Sequence, residues 1–212
     1  MMKKSILLMT MFLVVAAIFS SCASTETTSF VDPAYRGKQF SKICVLADVS
    51  DLKYKQKLEK EISENLRTKV NVISGFQLFP PTRDWTEEQM QEIMIKEGVD
   101  GYLLVVWKDK GVQETYRPGQ QVSETKGEVK KKDGKDVYTE RTVTSNTGGS
   151  VEKEFRSYFE AQLIDVKSKN KAWVATSYSQ SGEWFGSDFD LIMESYGKDI
   201  SEKLSNDGLI RK

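Results

Sequence analysis

Phe40-Ser41-Lys42-Ile43-Cys44-Val45-Leu46-Ala47-Asp48-Val49, running straight into Ser50-Asp51-Leu52, is the stretch that decides the fold class of this chain. Ile43 to Ala47 is apolar at every position, whereas a strand with one wet face alternates, so this strand expects cover on both sides. Ser50-Asp51 offers a helix cap. Beyond it Tyr54, Leu58, Ile62 and Leu66 recur every four residues, which predicts a helix to about Lys69 with Lys and Glu on its other faces. A buried strand feeding an amphipathic helix is the first half of a β-α-β unit.

Moving toward the carboxyl end, Val70 to Phe79 predicts a second strand, stopped by Pro80-Pro81. Thr86-Glu87-Glu88-Gln89 is a capping box, with Trp85 and Met90 placed as a hydrophobic staple. The helix it opens turns Met90, Ile93 and Met94 inward and ends at Gly98. Gly101 to Trp107 predicts a central strand. Two helical crossovers imply parallel pairing.

From Lys108 to Glu154 apolar residues become sparse. Asp133-Gly134 between Thr125–Lys132 and Lys135–Ser145 fits a hairpin of polar strands, and a disordered loop fits as well. Charges on both faces exclude a membrane-spanning hairpin. Apolar sequence returns at Phe155. Leu163-Ile164, a polar tip and Ala172 to Tyr178 with Trp173 make a second hairpin. Asp188 opens a last helix with Phe189, Ile192, Met193, Tyr196, Ile200 and Leu204 inward, closed by Asn206 or Gly208. The expected order is β-α-β-α-β, insertion, β-β-α. That is an α/β (α+β) fold, with a mixed sheet in two or three layers and three main helices. One domain spans 40–212, with a polar insertion at about 108–154.

Toward the amino end, Met1-Met2-Lys3-Lys4 is a positive segment and Ile6 to Phe19 a nearly unbroken apolar run, short for a membrane span. Phe19-Ser20-Ser21-Cys22 places small residues before a cysteine, as in a lipoprotein signal, with Phe where Leu is commoner. Residues 1–21 are therefore expected to be a signal peptide. Cys22 is expected to be the lipidation site, its thiol taking a diacylglycerol as a thioether. At ~0.8 kcal/mol per buried methylene, several acyl chains anchor stably where one does not. No Asp follows in Ala23-Ser24, which favours the outer membrane. Ala23 to Thr28 suggests a polar tether, within a lipidated lead-in at 22–39.

Composition narrows the chemistry. Charges balance at 31 basic and 31 acidic residues, so nothing argues for nucleic acid. The chain has no histidine, which removes histidine-dependent nucleophilic and zinc chemistry. With Cys22 acylated, Cys44 stands alone as a small core residue. No phosphate loop, metal-spaced cluster or Gly-x-Ser-x-Gly is present, and no catalytic residue, metal or cofactor is expected. Carboxylates fall mostly on helix faces beside lysines. Asp32 with Asp48 or Asp100 is the one acid pair to weigh, for a hydrolase acting on envelope polymers. Trp184 and Phe185, with Tyr116, are the candidate interface residues.

Phe30-Val31-Asp32-Pro33-Ala34-Tyr35-Arg36-Gly37-Lys38 resembles the opening of a group of uncharacterised bacterial lipoproteins, in which an aromatic-x-Asp-Pro-x-Tyr-x-Gly segment leads into the first strand. Glu114-Thr115-Tyr116-Arg117-Pro118-Gly119, the Leu163-Ile164-Asp165…Ala172-Trp173 hairpin and Asp207-Gly208-Leu209-Ile210 are similar to that group too. Where the group carries a Gly/Tyr-rich stretch, this chain has its Lys/Glu-rich insertion. More distantly, the element order is similar to the α/β domain of TolB amino-terminal domains, penicillin-binding-protein activator lipoproteins and the curli secretion channel. The resemblance implies a non-catalytic binding or assembly role in the envelope. Its partners would be the membrane, through the lipid, and an envelope protein or cell-wall component.

Overall fold

The structure is a computed structural model, and it describes residues 23–119, 121–132, 135–146, 148–181 and 189–211. The chain forms two compact units, a body made of residues up to 113 and from 154 onward, and an arm of residues 114–153. The arm thus begins six residues after the change in composition at Lys108.

The strands are β1 (Ser24–Val31), β2 (Lys42–Asp48), β3 (Asn71–Ser74), β4 (Gly101–Arg117), β5 (Gln121–Lys132), β6 (Lys135–Asn146), β7 (Ser150–Asp165) and β8 (Lys171–Ser181). The helices are α1 (Leu52–Leu66), α2 (Gly75–Leu78), α3 (Glu87–Lys96) and α4 (Phe189–Asn206). Six strands form one mixed sheet in the order β1-β8-β7-β4-β2-β3. β2 pairs in parallel with β3 and with β4, and β8 pairs antiparallel with β7 and with β1. The mixed α/β architecture is therefore as expected.

The unbroken apolar run of β2 divides between two cores. Ile43, Val45 and Ala47 enter one core with Leu58, Ile62 and Leu66 of α1 and Ile192, Met193, Tyr196, Ile200 and Leu204 of α4. Cys44 and Leu46 enter the other with Phe79, Met94, Val99 and Val166. Strand side chains alternate between faces, so a strand clad by helices on both sides has no position left for a polar residue. Gly197 lets α4 approach α1 closely, because a Cβ there would lie 2.9 Å from the Glu61 carbonyl carbon.

Four departures from expectation are physical in origin. Ser24–Val31 is edge strand β1 rather than a tether, for reasons set out below. The predicted strand over 70–79 ends at Ser74. The Ser74 hydroxyl accepts the Phe76 N–H as a helix cap, and the chain turns into α2. Gly75 permits the turn, since a Cβ would meet the Leu46 Cδ2 at 2.6 Å and the Val45 carbonyl oxygen at 3.0 Å. β4 continues past Trp107 to Arg117, and β7 begins at Ser150, ahead of Phe155.

The helix signals match closely. Asp51 caps α1 through the N–H groups of Lys53 and Tyr54, and Thr86 and Gln89 form the capping box of α3. In the arm, β5 and β6 pair antiparallel from Gln121 opposite Asn146 to Lys132 opposite Lys135, so the insertion is a hairpin. Its Asp133-Gly134 tip lies outside the described residues, as does Asp188.

Candidate functional site

The antiparallel half of the sheet has two unlike faces. On the inner face, against α4, the rows across β1, β8 and β7 are Val31–Trp173–Leu163, Ser29–Ala175–Ala161, Thr27–Ser177–Phe159 and Thr25–Ser179–Ser157. The polar members contributed by β1 and β8 are hydrogen-bonded, while the buried Ser157 hydroxyl of β7 has no partner among the described residues. Thr27 shares a 2.6 Å hydrogen bond with Ser177, and Thr25 shares bonds with Ser179 at 2.8 Å and with Ser195 of α4 at 2.9 Å. The Ser29 hydroxyl (2.6 Å) and the Trp173 indole N–H (2.7 Å) both donate to Asp207. A Ser/Thr-rich segment is thereby stitched to the body through side chains as well as backbone.

The outer rows are Phe30–Val174–Gln162, Thr28–Thr176–Glu160 and Glu26–Tyr178–Tyr158. Phe30 is 60% exposed and Tyr158 49% exposed. The Tyr158 and Tyr178 rings lie 5.0 Å apart. Shallow grooves of about 350 and 280 Å³ run over these rows, and Lys108 pairs with Glu160 at 3.0 Å on the flank. Apolar and tyrosine side chains with a charged margin are the composition of protein-binding surfaces.

The Asp32-Pro33-x-Tyr35-x-Gly37-Lys38 segment is a clasp. Asp32 accepts the Ala34 N–H at 2.8 Å and caps a single 3-10 turn. Tyr35 is buried, and its hydroxyl shares a 2.8 Å bond with Ser168. The Lys38 ammonium lies 5.0 and 5.2 Å from the Tyr35 and Phe40 ring centroids and forms an ion pair with Asp165. Asp165 also accepts the Lys167 and Ser168 N–H groups at 2.9 Å each. Burial pushes the Asp165 carboxyl up, but Lys38 and the Ser168 N–H outweigh it and hold the group below its ordinary range.

Glu59 is the buried carboxylate that sequence reasoning misses, since it sits in a helix rich in Lys and Glu. It accepts the Ala47 N–H at 3.1 Å, the Ser74 hydroxyl at 2.7 Å and the Phe76 N–H at 3.0 Å, tying α1 to β2, β3 and α2. Burial raises its pKa, partly offset by those donors and by Lys55. Cys44 is fully buried. Burial, then the Glu59 charge, push its thiol up to about 12, where it is inert.

The candidate acids do not meet. Asp100 accepts the Ser41 N–H and hydroxyl and the Lys42 N–H, clamping the start of β2. Asp48 ends that strand. In the strand order β1-β8-β7-β4-β2 it stands four spacings from Asp32 beside β8, about 19 Å at ~4.8 Å per spacing. Asp32 lies beside β8, with β7 between it and β4, so strand spacing alone keeps it about 14 Å from Asp100. Both separations exceed what a pair of hydrolytic carboxylates spans. A polar cleft of about 440 Å³ is lined by Arg67, Lys69 and Arg211, of which Arg67 and Lys69 complement the negative carboxyl end of α1.

Of the candidate interface residues, Tyr116 is 66% exposed on the arm and lies over Gly149, where a Cβ would meet its hydroxyl at 2.3 Å. Trp184, Phe185 and Cys22 fall outside the described residues. Among the described residues no helix is long and apolar enough to cross a membrane.

No protein-family model matches the chain, and no curated protein matches it. Among solved structures it is similar to a PelC dodecamer from Paraburkholderia phytofirmans in two crystal forms, one of them a point variant. Identities are 15% and 13% and TM-scores 0.44 and 0.45, over 90% and 89% of this chain and 99% of PelC in each case. A PDZ domain protein from Parabacteroides distasonis is similar at 11% identity and a TM-score of 0.28, over 89% of this chain and 38% of that one. At these values the three carry no argument about what this chain does.

Proposed function

We propose that this chain is a membrane-anchored lipoprotein of the bacterial envelope, most simply of the outer membrane, and that it works as a non-catalytic binding or assembly module. The observation that carries the binding role is the outer face of β1, β8 and β7, where Phe30, Val174, Tyr158 and Tyr178 stand in register with no helix over them among the described residues. The amino-terminal sequence supports the anchor. A charged start, an apolar run and Ser20-Ser21-Cys22 follow one another in lipoprotein order. β1 starts at Ser24, two residues after Cys22, so acyl chains on Cys22 would hold edge strand β1 close to the bilayer. The partner would be an envelope protein or a cell-wall component meeting that face.

Two measurements test the two parts. Mass spectrometry of the mature protein should find Cys22 acylated, and Cys22→Ser should leave the membrane fraction; an unmodified residue 22 would remove the anchor. Crosslinking in intact cells should trap one reproducible partner that is lost when Tyr158 and Tyr178 are both replaced by Glu. A partner retained by that double variant would remove the sheet face from the proposal.

A further inference from the structure

We propose that Tyr54, Trp107 and Phe189 form a binding site for a small alkylated ammonium cation, which the side chain of Lys110 occupies as an internal plug. The three rings meet in an inside corner. Tyr54 and Trp107 stand at 77° with centroids 5.3 Å apart, Trp107 and Phe189 at 72° and 5.3 Å, and Tyr54 and Phe189 at 77° and 6.0 Å. The Lys110 ammonium lies 5.1, 5.3 and 5.9 Å from the Tyr54, Trp107 and Phe189 centroids. Each ring face carries the negative lobe of its quadrupole, so three nearly perpendicular faces converge their fields on one point.

The walls are braced from behind. Phe159 stacks on Trp107 at 5.5 Å, Phe155 meets Phe189 edge-on at 5.3 Å, and the Trp107 indole N–H donates to the Asp109 carbonyl at 3.0 Å. The plug is the loose part, since Lys110 is exposed and, among the described residues, forms no ion pair. The corner also lies just past the carboxyl end of β2, where Asp48 is opposite Val106, and open α/β sheets gather ligands outside strand carboxyl ends. Ring faces accept no ordinary hydrogen bonds. A primary ammonium therefore gives up water without replacement, while a methylated one gives up little. Lys110 is accordingly a weak occupant, and a quaternary ammonium displaces it.

The test uses the full-length protein in detergent, with choline as the probe and its uncharged isostere 3,3-dimethylbutanol as the control. Calorimetry on Lys110→Ala should show saturable choline binding about fivefold or more tighter than on the wild type, with the neutral isostere much weaker. Choline should also shift the Trp107 indole resonance, which Trp107→Phe identifies by its loss. No saturable binding to Lys110→Ala, equal binding of the neutral isostere, or an affinity that Lys110→Ala leaves unchanged would each overturn the proposal. Phosphatidylcholine nanodiscs in place of choline separate a lipid headgroup from a free solute. The indole shift produced by either one upholds the site.

Discussion

The two halves of the sheet solve burial differently. In the parallel half, β2, β3 and β4 are clad on both faces, and the strands are held by apolar contact with two cores plus one buried carboxylate, Glu59. In the antiparallel half, β1, β8 and β7 have one face against α4 and one face open, and even the covered face is laced with Ser and Thr. Burying the hydroxyls of β1 and β8 is tolerable because they bond to one another and to Asp207. One half resists change in volume and the other resists loss of a partner.

Substitutions should expose that division, the largest effect first. Leu103→Ala in β4 removes a fully buried side chain from the parallel half and should destabilise by about 2–5 kcal/mol in urea titration. Glu59→Ala takes the acceptor from the buried Ala47 N–H and from the half-buried Ser74 hydroxyl and Phe76 N–H, and about 3 kcal/mol is expected by the same measurement. A loss under about 1 kcal/mol would mean that Glu59 is no structural node. Thr27→Val keeps the shape of β1 but orphans the Ser177 hydroxyl, and about 1 kcal/mol should be lost.

Acid should move the two buried carboxylates in opposite senses. Asp165 is held low, so its stabilisation is present above about pH 4 and fades as pH falls through its folded value. The gap between wild type and Asp165→Asn should therefore close in acid. Glu59 is held high, so its contribution is fullest below about pH 4.3 and declines as pH rises through its folded value. The gap between wild type and Glu59→Ala should widen in acid. Stability curves from pH 3 to 7 that move together would refute the contrast.

The parallel half was the legible one. An apolar run, a four-residue stripe, a capping box and a Gly98 in the left-handed region are local signals, and each element they announce is present. β1 was illegible because Ser24-Thr25-Glu26-Thr27-Thr28 has the composition of a tether. Only its remote partners Ser177, Ser179, Ser195 and Asp207 make it a strand. Glu59 was hidden for a similar reason, since the donors that draw it inward belong to Ala47, Ser74 and Phe76 on other elements. The aromatic corner gathers Tyr54, Trp107, Lys110 and Phe189 from three elements, and no spacing along the chain announces it. Of the residues picked out for an interface, Tyr116 is exposed, while the open face built on Phe30, Tyr158 and Tyr178 comes from strand register that composition does not encode.

The pairing of β1 with β8 has a temporal consequence. Thr25 and Ser179 touch across 154 residues of chain, so β1 cannot take its place until the strands up to β8 have been synthesised. Closing so distant a contact is slow. During that interval Ser24–Val31 is without the strand it pairs with. The last hairpin to appear completes the sheet and ends that window.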